Sequence, residues 1–328
     1  MVFNGTGRIS DKTKQLILKE AESLGYIHKP RNTKKSGDEK TVAILILIDP
    51  EWSFIWYFLT DMITQIDRDL SEQGLRTVLL PVSHHEDYKH IYQKITKLDC
   101  FSIFSIHFGN EQLFSRLEQD GIPVIMILNN NYQDKFFSIC VDDFQGAYEG
   151  TRYLLELGHE EIVFVDSTRE DLPNLSSDRY YGFLKAMEEE KTSVREDFRI
   201  NCRTGWSEDE LEAYFRSVMD RTPPPTAFFC LDDEIAIRVW NSLRNLGYSI
   251  PENISILAPG DVLDYSKPYI PQITTMHIDM KYIGGLAVGM LVNRLKNDSE
   301  AVHVLKVKQQ LIERKSCRKP RLHRTGLL

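Results

Sequence analysis

The sequence lacks most of the signatures that announce catalysis or export. No GxGxxG, GxxxxGK[ST], GxSxG or HExxH occurs anywhere in the chain, so dinucleotide, nucleoside-triphosphate and hydrolase chemistry have no motif to rest on. No run of about 18 apolar residues is present, and nothing reads as a membrane-spanning helix. Met1–Ser10 has no apolar core of signal-peptide length, so export is not expected. Cysteine is scarce. Cys100, Cys140, Cys202, Cys230 and Cys317 are scattered, odd in number and without a CxxC pair. That pattern excludes a disulfide frame and a structural zinc site, and it fits a reducing cytoplasm. His84, His85 and His90 are close in sequence, yet no sensible ligand set completes them. A solvated loop is expected there, with no metal and no cofactor.

What is present is an ordinary folded composition. Hydrophobic residues make up 42% of 328 and charged residues 27%, enough for two domains and too apolar for wholesale disorder. The net charge of −8 is unevenly spread: residues 1–40 carry +4, residues 301–328 carry +7, and the body between them −19. An acidic body with basic ends suits an anionic partner at the ends only.

Residues 10–26 read as one helix, capped by Ser10 and closed by Gly25, with Ile17, Ala21 and Leu24 on one face. A polar, basic linker follows over 27–41. From Val42 the pattern becomes strand–helix alternation, beginning with the unbroken apolar run Val42–Ile48 of a strand buried on both faces. The alternation starts afresh around Ser138–Asp143. The expected architecture is therefore α/β: two doubly wound, parallel-sheet lobes forming a hinged clamshell over 42–317. Lobe 1 is assigned about 42–142 plus 272–298, lobe 2 about 143–271 plus 299–317, and 318–328 is a basic tail. Ligands bind parallel sheets at the carboxyl ends of the strands, so the cleft between the lobes is the place to search.

Several segments resemble the lactose-repressor (LacI/GalR) family of bacterial transcription regulators. FNGTGRISDKTKQLILKEAESLGY resembles the end of that family's recognition helix and its third headpiece helix. VDDFQGAYEGTRYLLELGHEEIVFV (Val141–Val165), RYYGFLKAM (Arg179–Met187), PPTAFFCLDDEIAIRVWNSLRNLGYSIPENISIL (Pro224–Leu257), ITTMHIDMKYIGGLAVGMLVNRL and LIERKSC (Leu311–Cys317) follow in family order. The resemblance implies a cytoplasmic, homodimeric regulator. Its periplasmic-binding-protein-like (type I) clamshell would bind a small effector, a sugar on this reading. Lobe closure would then alter the affinity of the headpieces for operator DNA.

The resemblance also points to site residues. Arg179 falls where the family places an effector-contacting arginine, a planar fork of donors suited to adjacent hydroxyls or a carboxylate. Asp232 follows a strand where the family commonly has Asn; it is read as ligand-facing, with Asp233 as the cap of the next helix. Trp206 offers an indole face to a sugar ring. The loop APGDV has Gly260 in place of a familiar acidic contact and leaves Asp261. In the first lobe Tyr57 and Phe58, beside Trp52, Phe54 and Trp56, supply cleft aromatics. Asp142–Asp143 is read as hinge and cap chemistry. The dimer is placed on helices near Thr60–Leu70 and Tyr282–Leu295.

Two departures bear on DNA. The family's first two headpiece helices have no counterpart before Met1, so the chain as written is expected to read an operator poorly. Arg8, Lys12 and Lys14 can still contact phosphate, which positions a protein without reading sequence. Lys35 stands near the hinge-helix leucine that wedges into the minor groove, and a lysine cannot be an apolar wedge. The competing expectation from another class is a stand-alone sugar-binding module without DNA function. No nucleophile–base pair lies among the cleft candidates, and an enzyme is not expected.

Overall fold

The structure is a computed structural model that describes residues 40–47, 55–83, 85–167, 173–192, 194–202, 206–297 and 301–320. The described residues from Lys40 onward belong to one compact unit, and Met1–Glu39 lie outside the described residues. The expected helix over 10–26, the linker, and Arg8, Lys12, Lys14 and Lys35 therefore lie outside the description. So do residues 321–328 of the basic tail, Trp52 and Phe54, and the side chains of Trp56 and Tyr57.

The first sheet runs in the order β11-β5-β4-β3-β1-β2 and is parallel throughout. Its strands are β1 (Thr41–Leu47), β2 (Arg76–Val82), β3 (Cys100–Ile106), β4 (Val124–Ile127), β5 (Phe137–Val141) and β11 (Val304–Val307). Every residue of β1 is buried, as the apolar run 42–48 predicts for a central strand covered on both faces. The helices are α1 (Ile55–Glu72), α2 (Tyr88–Lys97), α3 (Glu111–Gln119) and α8 (Met280–Lys296). The second sheet runs β12-β10-β9-β8-β6-β7, parallel except for β12, which pairs antiparallel with β10. It comprises β6 (Ile162–Asp166), β7 (Arg199–Asn201), β8 (Ala227–Cys230), β9 (Ser255–Gly260), β10 (Thr274–His277) and β12 (Gln310–Ile312). Its helices are α4 (Asp143–Glu156), α5 (Pro173–Glu189), α6 (Glu208–Met219) and α7 (Asp233–Asn245).

The chain changes lobe three times: between β5 and α4, between β10 and α8, and between β11 and β12. This differs from the sequence-based partition at 272 and 299. Strand β10 belongs to the second sheet and β11 to the first, so the returns fall near 278 and 308. Period-two patterns find strands but do not say which sheet a short strand joins. The segment Ser138–Asp143 likewise contains the last strand of the first lobe before it begins the second.

Two packing details explain motifs. Gly182, in the Arg-x-x-Gly-Phe run, lets α5 lie directly on α4. A Cβ there would stand 2.1 Å from the Phe144 carbonyl oxygen and 3.0 Å from the Tyr148 nitrogen. His159 is buried, with Nδ1 2.9 Å from Thr226 Oγ1, and Nε2 donates at 2.9 Å to the Arg318 carbonyl. Burial holds its pKa down to about 4, so it is a neutral clasp on the chain's last described segment.

The apolar faces of α1 and α8 bury each other. Leu59, Met62, Ile66 and Leu70 join Ile283, Ala287 and Leu291 in one core, each residue but Ala287 worth roughly 1.5–3 kcal/mol of burial. The outward faces of these helices stay uncovered, with Tyr282 57% and Leu295 49% exposed.

Candidate effector cleft

In the second sheet the parallel strands β6, β7, β8 and β9 deliver their following loops to one end. Residues 179, 206, 232 and 261 all follow from that end. Arg179, two turns into α5, is 4% exposed. Its Nε donates to Asp143 Oδ1 at 2.9 Å, its Nη2 stands 2.8 Å from the same oxygen, and its Nη1 donates to the Leu231 carbonyl just beyond β8. One side chain therefore ties the first crossing to the end of a central strand.

Asp143 is the hub. It is the first residue of α4, and Asp142 before it caps that helix by accepting from the Gln145 N–H. Burial pushes the Asp143 carboxyl up, and the Arg179 guanidinium opposes that shift. Asn130, from the loop after β4, donates to Asp178 at 3.3 Å, and its amide stands 3.5 Å from Asp143. Gln309, at the third crossing, donates to Asp143 Oδ1 at 3.4 Å, while its own buried Oε1 has no hydrogen-bond partner among the described residues. First-lobe and crossing residues thus converge on one carboxylate–guanidinium pair. Removing one partner of such a buried pair costs about 3–5 kcal/mol.

At α7 the cap is Asp232, not Asp233 as expected. Asp232 is the cap, accepting from the Ile235 N–H at 2.9 Å. Asp233 is fully buried and turns inward to accept from the Val262 N–H at 2.8 Å and the Tyr265 hydroxyl at 3.2 Å. The residue whose φ/ψ is extended takes the cap, and its neighbour's side chain falls on the next strand's loop. Burial raises Asp233 to about 7, and the charges of Asp232 and Asp261 add to the effect. Its Oδ1 lies 2.4 Å from where a Cβ on Gly260 would be, and Gly260 has φ +140°. The glycine in APGDV is therefore required by Asp233: any side chain there would strike the carboxylate.

Asp261 is taken up by its neighbours. His277 Nδ1 donates to Oδ2 at 2.7 Å and Arg314 to Oδ1 at 2.6 Å. Burial opposes its charge, but the His277 hydrogen bond and the Arg314 guanidinium hold its pKa below the usual value. His277 is raised, chiefly by that hydrogen bond. Trp206 stands just before Ser207, which closes a capping box with Glu210 at the start of α6. The indole is half-buried on Tyr214, with ring centroids 5.2 Å apart. In the first lobe Phe58 packs half-buried against the core.

The structure thus joins Arg179 to the crossings, places Asp232 and Asp261 on the same strand ends, and leaves Trp206 packed edge-on against Tyr214 of the helix that follows it. Asn130, Asp178, Gln309, His277 and Arg314 are additions that spacing does not reveal, because their contacts are made by tertiary pairing between separate strands and crossings. Asp166 is another: at the end of β6 it accepts from Ser176 at 2.6 Å and from Arg199 at 2.8 Å, while Arg199 stacks on Tyr180. Among the described residues no group of three or more His, Cys, Asp or Glu could hold a metal, and no helix is long and apolar enough to cross a membrane. His90 bonds Glu86 at 2.9 Å.

Comparison with known proteins agrees with this geometry. The periplasmic-binding-protein-like domain family matches residues 151–317. The HTH-type transcriptional repressor PurR of Pectobacterium carotovorum subsp. carotovorum (strain PC1) is 26% identical over 326 residues, 96% of this chain and 91% of its own. The PurR of Escherichia coli O1:K1 / APEC is 24% identical over 323 residues, again 96% and 91%. Among solved structures, the regulator CelR in complex with cellobiose superposes with a TM-score of 0.71 at 19% identity, covering 96% of this chain and 94% of its own. A LacI family regulator from Enterococcus faecium with bound ribose gives 0.68 at 21%, covering 85% and 100%. The chain belongs to the periplasmic-binding-protein-like domain family and is a LacI/GalR-type regulator with an effector-binding clamshell.

Proposed function

We propose that this protein is a cytoplasmic, homodimeric repressor whose clamshell closes on a small hydroxyl-rich effector, a sugar, and thereby alters its affinity for operator DNA. The observation that carries the reading is the Arg179–Asp143 pair. It is buried at the junction of the lobes and shared with Asn130 and Gln309, so a polyhydroxylated guest can exchange into its hydrogen bonds with little new desolvation. The unpartnered Gln309 Oε1 is an acceptor suited to one of the guest's hydroxyls. Neighbours of this fold hold cellobiose and ribose. Asp232, Asp261, Trp206, Tyr57 and Phe58 complete the effector set, and Arg8, Lys12, Lys14 and Lys35 contact DNA phosphate.

A ligand can shift lobe closure only by its difference in affinity for the open and closed forms. Bonds reaching one carboxylate from the first lobe and from two crossings supply that difference. The dimer is proposed on the helices near Thr60–Leu70 and Tyr282–Leu295, where Leu295 is still 49% exposed. A thermal-shift screen over sugars, sugar phosphates and nucleobases tests the reading. A sugar that raises the melting temperature supports it, and a response to nucleobases alone rejects it. Light scattering showing a monomer at micromolar concentration rejects the dimer.

A further inference from the structure

We propose that a cavity on the flank of the crossings is a second small-molecule site, separate from the cleft, for an organic anion with a compact apolar body such as an aryl carboxylate. The cavity is about 510 Å³, within the usual range for ligand pockets. Of the residues described at the cleft, His277 alone is in its lining; Arg179, Asp143, Asp232 and Asp261 are not.

Its chemistry is two-sided. Tyr282, Leu286 and Leu305 give it an apolar floor, and Tyr282 and Leu305 are left 57% and 40% exposed. Lys306 and Lys308 supply two cations, and neither forms an ion pair with a described residue. Asp279 is the one carboxylate in the wall, and it is engaged as the cap of α8, accepting from the Tyr282 N–H at 2.8 Å. The free charge is therefore positive and sits beside uncovered apolar surface. An anion with an apolar body matches both; a neutral sugar matches neither.

The walls come from both lobes, α8 and β11 from the first and His277 from the second. His277 also bonds Asp261 at the cleft end of β9, so one side chain lies between the two sites. An occupant bridging these walls acts on the same lobe movement as the effector.

Fluorine NMR titration of the full chain with 4-fluorobenzoate, and with 4-fluorobenzamide as the neutral control, tests the proposal. Saturable binding of the carboxylate is expected, with the amide at least about tenfold weaker because it lacks the charge-assisted contacts. Lys306→Gln with Lys308→Gln should weaken the carboxylate about tenfold, and Leu286→Trp, which fills the cavity, should abolish it. Equal binding of the amide, full binding by the lysine variant, unchanged binding by Leu286→Trp, or no saturation at all would overturn the site.

Discussion

Asp233 makes the stability of the second lobe depend on pH in a way one substitution should erase. Its carboxyl is raised from 3.8 to about 7, first by burial and then by the charges of Asp232 and Asp261. A shift of roughly three units corresponds to about 4 kcal/mol at 1.36 kcal/mol per unit. The folded pKa is above the unfolded one, so the fold favours the protonated acid. Below about pH 4 the group is neutral in both states and stability is fully present. As pH rises, the unfolded chain ionises first and folding loses free energy until about pH 7, where the loss is complete. Asp233→Asn cannot ionise and keeps a carbonyl oxygen for the Val262 N–H. Urea unfolding of both proteins from about pH 4 to pH 8 isolates the term, because every other titration cancels between them. The variant should gain on the parent by up to about 4 kcal/mol across that range. Curves that stay parallel within about 0.5 kcal/mol would refute the buried, unpaired assignment of Asp233.

Other consequences follow from the same contacts. Gly182→Ala drives a methyl group into the Phe144 carbonyl and should cost about 1–3 kcal/mol, measured by denaturant midpoint; a neutral change would mean α4 and α5 can separate freely. Asp143→Ala leaves the Arg179 guanidinium buried without its carboxylate and should cost about 3–5 kcal/mol, whereas the double change to Ala and Met should recover much of it. Such recovery, read in a double-mutant cycle, is what a merely structural α4 residue would not show. His277 is raised by Asp261, so its contribution is present below about pH 6.5 and fades as pH climbs through its folded value. His277→Gln should flatten that part of the stability profile, and an unchanged profile would remove the pair from the account.

Much of the fold was legible because parallel sheets write themselves plainly. Val42–Leu47 is apolar on both faces, helices end at Gly74, Gly158 and Gly247 with positive φ, and a capping box marks the start of α6. Sheet membership near the crossings was not legible. β10 and β11 are four residues each, and their partners are set by tertiary pairing that no local pattern records. The site was legible at the level of strand ends. The sequence singles out Arg179, but its partner Asp143 reads only as hinge and cap chemistry, because the two are 36 positions apart and meet through the α4–α5 contact. The cap of α7 falls on Asp232 rather than Asp233 for a similar reason: adjacent aspartates compete for one cap, and the backbone angle that decides between them is invisible in the sequence.

Calorimetric titration of the parent and of Arg179→Ala with the strongest sugar from the screen bears most directly on the cleft. If the guest is held where the lobes meet, the parent binds saturably and the variant, still folded by circular dichroism, loses at least about tenfold in affinity. Equal affinities would place the guest elsewhere and contradict the account.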